Sequence, residues 1–285
     1  MNITFREVCF AYERFGESAG DDKKFQLRNL SFEISSPQFV AIAGRSGSGK
    51  TTLLQMFNGL LRPARGEVLI DQQNIHARGY DLAALRRRLG LVFQFPEAQL
   101  FAATVREDVG FAPRQQKLSS AETEARTLQA LQEVGLSENF LARDPFTLSA
   151  GEKRRAALAG ILAMQPEMLI LDEPTAGLDA KGIVEIKTLL WRWHEQGRGL
   201  IMISHDLDLI AELAQRVFVL HQGEIIFNGS PHQLWDDRSE NSAPAPFEIC
   251  ARAGLAVPRA ERLKRLLRAK NIDFMLPSPR SKILP

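Results

Sequence analysis

Cysteine is scarce in this sequence, and so are the long apolar runs and charge excesses that mark several classes of protein. Its two cysteines, Cys9 and Cys250, lie far apart and form no CxxC pair, which argues against a disulfide framework or a thiolate metal site. No apolar run approaches the roughly 18 residues that a membrane-spanning helix needs, and the charged N-terminus predicts no signal peptide. The net charge of +2 is too small to predict nucleic acid as the main partner. We therefore expect a cytosolic protein with reduced thiols, whose role at any membrane acts through a partner.

The pattern of apolar residues predicts an α/β domain over residues 1–235. Alternation in NITFREVCFAY and NLSFEIS is typical of half-buried antiparallel strands. Continuous apolar runs in QFVAIAG (38–44), EMLILDEP (167–174) and GLIMISH (199–205) favour parallel strands covered on both faces. From about 95 to 165 the pattern is helical, which predicts a helical subdomain there. Ligands of such sheets bind at the carboxyl ends of the strands.

A separate segment follows this domain. The polar, proline-rich stretch DDRSENSAPAP (236–246) predicts a linker, and residues 247–285 predict a small helical extension. Between Pro244 and Pro285 there are nine Lys/Arg and three Asp/Glu, a net charge of +6. A solvated surface is the common reason for such a charge run, and binding of nucleic acid is the alternative.

The strongest motif is GRSGSGKT, which matches GxxxxGK[ST] between a predicted strand and a predicted helix. Glycines let successive backbone N–H groups point at phosphate oxygens, and a helix N-terminus favours an anion. We expect Lys50 to reach the β- and γ-phosphates and the Thr51 hydroxyl to ligate Mg²⁺. The residues expected around the nucleotide phosphates are Gly44, Ser46, Gly47, Gly49, Lys50, Thr51 and Thr52.

An acidic pair follows the apolar run from Met168 to Leu171. A carboxylate at a strand end near a phosphate loop can hold Mg²⁺, so we assign Asp172 to the metal. The adjacent Glu173 would point elsewhere and polarise an attacking water. A solvated turn is the ordinary interpretation of a lone acidic pair, but the buried strand and the upstream phosphate loop argue against it.

Three further residues are weak signals taken singly. Gln94 follows a predicted strand, where its amide can ligate Mg²⁺ or position water. His205 ends another strand, where it is either structural or a hydrogen-bond partner of the γ-phosphate. Tyr12 follows the first strand and is either a packed aromatic residue or a stacking partner for a nucleobase.

The stretch LSAGEKRRAALAGIL predicts a helix whose entrance suits an anion. Ser149 and Glu152 have the spacing of an S-x-x-E capping box, so the helix can cap itself. A serine hydroxyl that accepts from the backbone can still donate one hydrogen bond. Gly151 leaves the backbone open to close approach, and Lys153, Arg154 and Arg155 are expected to raise the local positive potential.

In order along the chain, Tyr12, GRSGSGKT, Gln94, LSAGE, LILDEP, AGLD and His205 resemble the ATP-binding cassette (ABC) ATPases over roughly residues 1–235. The resemblance implies a P-loop NTPase cassette with a RecA-like parallel sheet core, an antiparallel β subdomain and a helical subdomain. It implies ATP and Mg²⁺ as cofactors, and head-to-tail pairing in which the phosphate loop of one subunit faces Ser149 and Gly151 of the other. Asp179 would lie at that interface, and Tyr12 would contact the adenine. The helix departs from the family pattern at Ala150 and Glu152, where that pattern has glycine and glutamine; we expect Glu152, as a capping partner, to turn away from the phosphate.

Two regions outside the nucleotide motifs are similar to energy-coupling factor (ECF) importers of cobalt, nickel and vitamins. They are FQFPEAQLFAATVREDVGFAP (93–113) and the tail ICARAGLAVPRAERLKRLL, which in that family helps the ATPases dimerise. The resemblance implies a membrane T subunit docked on Phe95, Leu100 and Phe101, with Glu97 paired to an arginine of that subunit. It also implies a substrate-binding S component and a peripheral position on the cytoplasmic face of the cell membrane. A homodimer is favoured, with a heterodimer with a paralogue as the alternative, and metal ion and vitamin are equally open as cargo.

Other classes fit less well. A soluble ABC ATPase of nucleic acid or the ribosome usually has two cassettes or long coiled-coil insertions, and neither is present. A P-loop GTPase would carry NKxD, which is absent, and a P-loop kinase would give the Ser149 helix no purpose. The ATPase of a binding-protein-dependent importer would more often have a strand-rich C-terminal domain than a helical one.

Overall fold

The chain contains both antiparallel and parallel strands. The structure is a computed structural model that describes residues 1–12, 25–235 and 246–269. The strands are β1 (Asn2–Phe10), β2 (Leu27–Ser35), β3 (Phe39–Ala43), β4 (Arg65–Ile70), β5 (Gln73–Asn74), β6 (Leu89–Val92), β7 (Met168–Asp172), β8 (Gly199–Ile203), β9 (Arg216–His221) and β10 (Glu224–Gly229). The helices are α1 (Lys50–Phe57), α2 (Leu82–Arg88), α3 (Val105–Val109), α4 (Phe111–Gln115), α5 (Ser120–Glu133), α6 (Ala150–Leu162), α7 (Ala180–Glu195), α8 (Leu207–Leu213), α9 (Pro231–Trp235), α10 (Pro246–Ala253) and α11 (Arg259–Ala269). Short 3₁₀ turns cover Pro96–Gln99, Glu138–Phe140 and Pro145–Thr147. Among these helices, none is both long and apolar enough to cross a bilayer.

The chain divides into two compact units, Met1–Tyr80 with Gly199–Pro285, and Asp81–Arg198. The predicted helical subdomain, about 95–165, lies within the second unit, which also contains β6, β7 and α7. Most of the predicted linker and the end of the extension, 270–285, lie outside the described residues.

In the first unit, an antiparallel sheet has the order β2-β1-β4-β5. Period-two burial along β1 turns Ile3 and Phe5 inward, and after an irregularity between Phe5 and Val8 it turns Val8 and Phe10 inward. Phe5 stacks on Phe32 with ring centroids 4.6 Å apart, and Phe57 meets Phe5 edge-on at 5.1 Å. These rings fill the core beneath the antiparallel sheet.

The other strands of the first unit have the order β10-β9-β3-β8. β3 runs parallel to β8 and β9, and β10 returns antiparallel to β9. All residues of β3 and β8 are buried, as expected for parallel strands covered on both faces. The phosphate-loop sequence therefore begins at the carboxyl end of a central strand.

In the second unit, β6 and β7 run parallel with Val92 opposite Leu171. The helix α6 packs directly on β6, because Gly90 has no side chain there. A Cβ built at Gly90 would lie 2.9 Å from Ile161 Cγ2 on α6 and 2.8 Å from Leu169 Cδ2 on β7. The close approach of helix and strand depends on that glycine.

The C-terminal extension begins as helices that pack on the first unit. Cys250 is buried, and its Sγ lies 3.9 Å from the carbonyl oxygen of Leu234. The backbone N–H of Arg259 donates to Asp208 Oδ1 at 2.7 Å. Gly254, at φ 61°, lies against the phosphate-loop residue Arg45: a Cβ there would be 2.3 Å from Arg45 Cδ. The helical character predicted for this segment is present over Pro246–Ala253 and Arg259–Ala269.

Candidate functional site

The phosphate loop of the first unit has the backbone shape that its sequence predicts. Gly47 and Gly49 adopt φ values of 81° and 107°, which favour glycine, and α1 begins immediately afterwards at Lys50. No heavy atom lies within 4 Å of a Cβ built on Gly47. An open glycine loop at a helix N-terminus forms a cradle of backbone N–H donors for an anion.

Side chains of the loop are consistent with a phosphate ligand. Lys50 Nζ donates to the carbonyl oxygens of Gly44 at 2.6 Å and Arg45 at 2.9 Å, so the ammonium group folds over the loop. Ser48 Oγ is buried without a hydrogen-bond partner among the described residues. Ser46 and Thr51 are exposed. A triphosphate fits this donor-rich loop, and the Thr51 hydroxyl is an oxygen ligand of the kind that Mg²⁺ prefers.

Tyr12 stands beside the start of α1. Its ring is 65% exposed, its hydroxyl forms a hydrogen bond with Thr52 Oγ1 at 3.0 Å, and its edge meets Phe10 at 4.9 Å. Thr52 is buried. The structure thus gives Tyr12 an exposed ring that suits stacking, whereas the predicted ligand Thr52 uses its hydroxyl to hold Tyr12.

His205 lies two residues beyond β8 and is exposed. The next residue, Asp206, caps α8 by accepting from the backbone N–H of Leu209 at 3.1 Å. The imidazole is therefore carried on a short link between a buried strand and a capped helix.

In the second unit, Gln94 and the acidic pair follow two neighbouring parallel strands. Asp172 is the last residue of β7 and only 9% exposed, Glu173 comes next, and the Gln94 side chain is exposed. The register of Val92 with Leu171 sends both chain segments out at the same edge of the strand pair. Within this unit, Gln94 and Asp172 offer oxygen atoms of the kind that Mg²⁺ prefers.

The backbone of Glu173 is unusual, with φ at 47° in the left-handed region. Non-glycine residues pay roughly 1–2 kcal/mol to adopt this conformation, and such residues concentrate at functional sites. The carbonyl of Glu173 accepts from the backbone N–H of Ala176 at 3.0 Å, closing a turn after the strand. The chain therefore leaves the line of β7 at Glu173.

Ser149 caps α6 with the predicted capping box. Its backbone N–H and its hydroxyl donate to Glu152 Oε2 at 2.8 and 2.7 Å, and Glu152 N–H donates back to Ser149 Oγ at 3.4 Å. These hydrogen bonds, with Arg143 and Arg155 nearby, lower the pKa of Glu152. Glu152 is therefore the capping partner that the sequence predicts, and its carboxylate accepts the hydroxyl proton of Ser149. That Glu152 turns away from a phosphate stays a prediction.

Gly151 and Asp179 lie near that helix end. A Cβ at Gly151 would meet no heavy atom within 4 Å, so the backbone there is open. Asp179 is exposed and caps α7, where Oδ1 accepts from Gly182 N–H at 2.7 Å. Ser149, Gly151 and Asp179 all line one groove of about 900 Å³ within the second unit. The structure therefore brings together the three residues expected to meet a partner subunit.

Arg154 is a residue whose position the sequence analysis missed. We expected it to raise the potential at the helix end, but it is 7% exposed and points into the unit. Its guanidinium donates to backbone carbonyls of residues 94, 173, 174 and 176. The helical spacing of Arg154 with the buried Leu158 and Ile161 was the available signal.

The segment expected to dock a membrane subunit is partly exposed. Phe95 and Phe101 are 56% and 61% exposed, and Phe101 meets the exposed Phe111 edge-on at 5.0 Å. Leu100 is only 7% exposed, so it packs inside the unit and cannot line a docking surface. Glu97 Oε2 is buried without a hydrogen-bond partner among the described residues.

Comparisons with known proteins identify the family. The ABC transporter family model matches residues 27–176. The energy-coupling factor transporter ATP-binding protein EcfA2 of Symbiobacterium thermophilum is 44% identical over 273 residues, which cover 95% of this chain and 89% of that protein. The EcfA2 protein of Streptococcus pyogenes serotype M5 is 38% identical over 276 residues, with 96% and 94% coverage.

Solved structures give the same result. The structure of CbiO1 from Clostridium perfringens, described as part of the ABC transporter complex CbiONQ, matches with a TM-score of 0.73 and 35% identity over 92% of this chain and 98% of that one. A dimeric cassette, MJ0796 bound to ADP and Pi, matches with a TM-score of 0.69 and 31% identity over 80% and 98%. These matches confirm the predicted fold class and family. The chain belongs to the ABC transporter family, as an ATPase of the energy-coupling factor type.

Proposed function

We propose that this ATPase powers uptake of a metal ion or vitamin through a membrane T subunit and a substrate-binding S component. It would act on the cytoplasmic face of the cell membrane, paired with a second ATPase subunit. The EcfA2 relatives and the CbiO1 structure, whose description places that protein in a transporter complex, support this assignment. The exposed Phe95 and Phe101 suit an apolar partner surface of that kind.

Within one subunit, the residues divide the tasks of binding and hydrolysis. The phosphate loop and Lys50 would hold the phosphates, and Tyr12 would stack on the base. Bound ATP with Mg²⁺ supplies the phosphoanhydride bond whose hydrolysis drives transport. Glu173 would orient and polarise the attacking water, and His205 would stabilise charge at the γ-phosphate.

The metal would be held by the Thr51 hydroxyl, the Gln94 amide oxygen and Asp172. Asp172 suits this task because it is the last residue of a buried strand, which restricts the position of its carboxylate. The acidic pair at the end of β7, beside the strand that leads to Gln94, is the observation that carries the proposed ATPase chemistry.

The groove that contains Ser149, Gly151 and Asp179 would meet the nucleotide of the partner subunit. For Ser149 to donate to that phosphate, its hydroxyl proton must turn away from Glu152 Oε2, now at 2.7 Å. A second copy of this chain is the favoured partner, and a related paralogue is the alternative.

The proposal is tested with Glu173→Gln, which keeps the size of the side chain but cannot polarise water as a base. We expect this variant to bind ATP and to form an ATP-dependent dimer while turnover falls by about 10²-fold or more. Lys50→Ala is the control and should lose ATP binding itself. Hydrolysis near the wild-type rate in Glu173→Gln would refute the assigned base.

The transport role has a separate readout. Wild-type protein from its own host should sediment with membranes in moderate salt and stay there after nuclease treatment. Release by nuclease, with loss of retention as salt rises, would instead favour a nucleic-acid partner.

A further inference from the structure

Arg154 connects α6 to two loops of the second unit through backbone carbonyls. Nη1 donates to the carbonyl oxygen of Ala176 at 2.7 Å, and Nη2 donates to that of Pro174 at 2.9 Å. Longer contacts from Nη2 reach the carbonyl oxygens of Glu173 at 3.5 Å and Gln94 at 3.4 Å. One side chain therefore spans the helix that begins at Ser149, the turn after β7 and the loop after β6.

This arrangement places a cation where an apolar side chain would ordinarily pack. Arg154 is buried beside Leu158, and burial lowers its pKa while the negative charge of Glu97 opposes that change. An arginine remains protonated in proteins, so the charge is kept at the cost of its hydration. Its planar fork can serve several acceptors at once, which a lysine cannot do equally well.

The carbonyls that Arg154 binds flank the left-handed residue Glu173. A non-glycine residue at φ 47° persists only when its surroundings hold it there. The hydrogen bonds to the carbonyl oxygens of Pro174 and Ala176 hold two peptide groups of the turn that follows Glu173, 174–175 and 176–177. Arg154 thus helps to orient the carboxylate of Glu173 through hydrogen bonds to backbone carbonyls, and not through a contact with the carboxylate itself.

We propose that Arg154 is a positioning residue that makes the Ser149 end of α6 and the carboxylate of Glu173 move as one body. The inference rests on the proposed function, in which Ser149 meets the partner's nucleotide and Glu173 acts on the nucleotide of its own subunit. Occupancy of one site is then transmitted through a single side chain to the base of the other. A chain of rigid contacts between two sites provides such coupling when both sites bias it.

The test compares Arg154→Lys and Arg154→Met with Arg88→Met in the full-length protein. Arg88 is the matched control, because it lies in the same unit but outside the groove of Ser149, and it pairs at 2.6 Å with Glu167 on the surface. In both Arg154 variants we expect ATP affinity within about twofold of wild type, kcat lower by roughly 10- to 100-fold, and a Hill coefficient for ATP closer to 1. Arg88→Met should leave all three unchanged.

Hydrogen–deuterium exchange supplies a readout that does not depend on turnover. Amides of residues 173 and 175–179 should exchange faster in the Arg154 variants than in wild type, both with and without ATP. If Arg154→Met does not fold, Arg154→Lys decides the matter, since it keeps the charge and most of the stem. Wild-type exchange in this segment, unchanged kcat, or an equal loss of affinity and kcat would each overturn the inference. The proposed function fails separately, if Glu173→Gln hydrolyses ATP normally.

Discussion

Two capping boxes in the second unit allow one prediction to be made with a built-in control. Ser119 and Glu122 begin α5 with the same three hydrogen bonds that Ser149 and Glu152 form on α6. The serine hydroxyl donates to glutamate Oε2 at 2.6 Å in the first box and at 2.7 Å in the second. The boxes differ in function, because only Ser149 lies in the groove beside Asp179.

Replacing either serine by alanine removes one cap of similar geometry. Each loss should cost about 1 kcal/mol of stability, which corresponds to a melting temperature lower by about 2–4 °C for a chain of this size class. Ser149→Ala should in addition lose a hydrogen bond to a charged phosphate, worth about 1.5–3 kcal/mol. That loss corresponds to roughly 10- to 150-fold weaker ATP-driven pairing, whereas Ser119→Ala should pair normally.

The assay is sedimentation of each variant in a Glu173→Gln background over a range of ATP concentrations, with calorimetry for the melting temperatures. The reasoning is refuted if the two alanine variants pair equally well, or if Ser149→Ala melts lower but shows unaltered ATP-driven pairing. A paralogue as the true partner would appear as pairing only when that chain is added, with the same contrast between the variants.

Two further predictions concern the first unit. Burial, and secondarily the charge of Arg62, lower the pKa of His76. The unfolded chain therefore binds more protons than the folded chain just below pH 6.5, so the free energy of unfolding should fall as the pH drops through that region. His76→Gln should flatten this pH dependence, measured by urea denaturation between about pH 5 and 7, and should leave the stability at pH 8 nearly unchanged. Gly254→Ala should lower the melting temperature by more than Gly79→Ala, because both glycines have positive φ but only Gly254 contacts Arg45. An alanine in the left-handed conformation costs roughly 1–2 kcal/mol at either position. Equal shifts of the melting temperature in calorimetry would mean that the contact with Arg45 adds no further cost.

Much of the fold was predictable because buried positions are apolar, so the pattern of apolar residues along the sequence follows the pattern of burial. The apolar runs that became β3, β7 and β8 can be buried on both faces only as inner strands, and the alternation in β1 matches one wet and one dry face. The glycines and Lys50 of the phosphate loop were recognisable since few other sequences permit that turn before a helix.

The site was harder to predict where one residue type serves two environments. Arg154 is a basic residue in a basic run, and only the three-dimensional structure gives its carbonyl partners, which come from segments distant in sequence. Leu100 and Phe101 are adjacent apolar residues, yet one is buried and the other exposed. The orientation of Glu152 follows from a local hydrogen-bond geometry that an S-x-x-E spacing permits but does not require.

Because Gly90 has no side chain, α6 can pack closely against its strand. Any side chain there would meet Ile161 on one side and Leu169 on the other at less than 3 Å, so it would lift the helix or push the neighbouring strand aside. The lifted helix would carry its whole first turn with it. A larger residue at position 90 therefore requires smaller side chains at positions 161 on α6 and 169 on β7. We expect substitutions at these three positions to occur together.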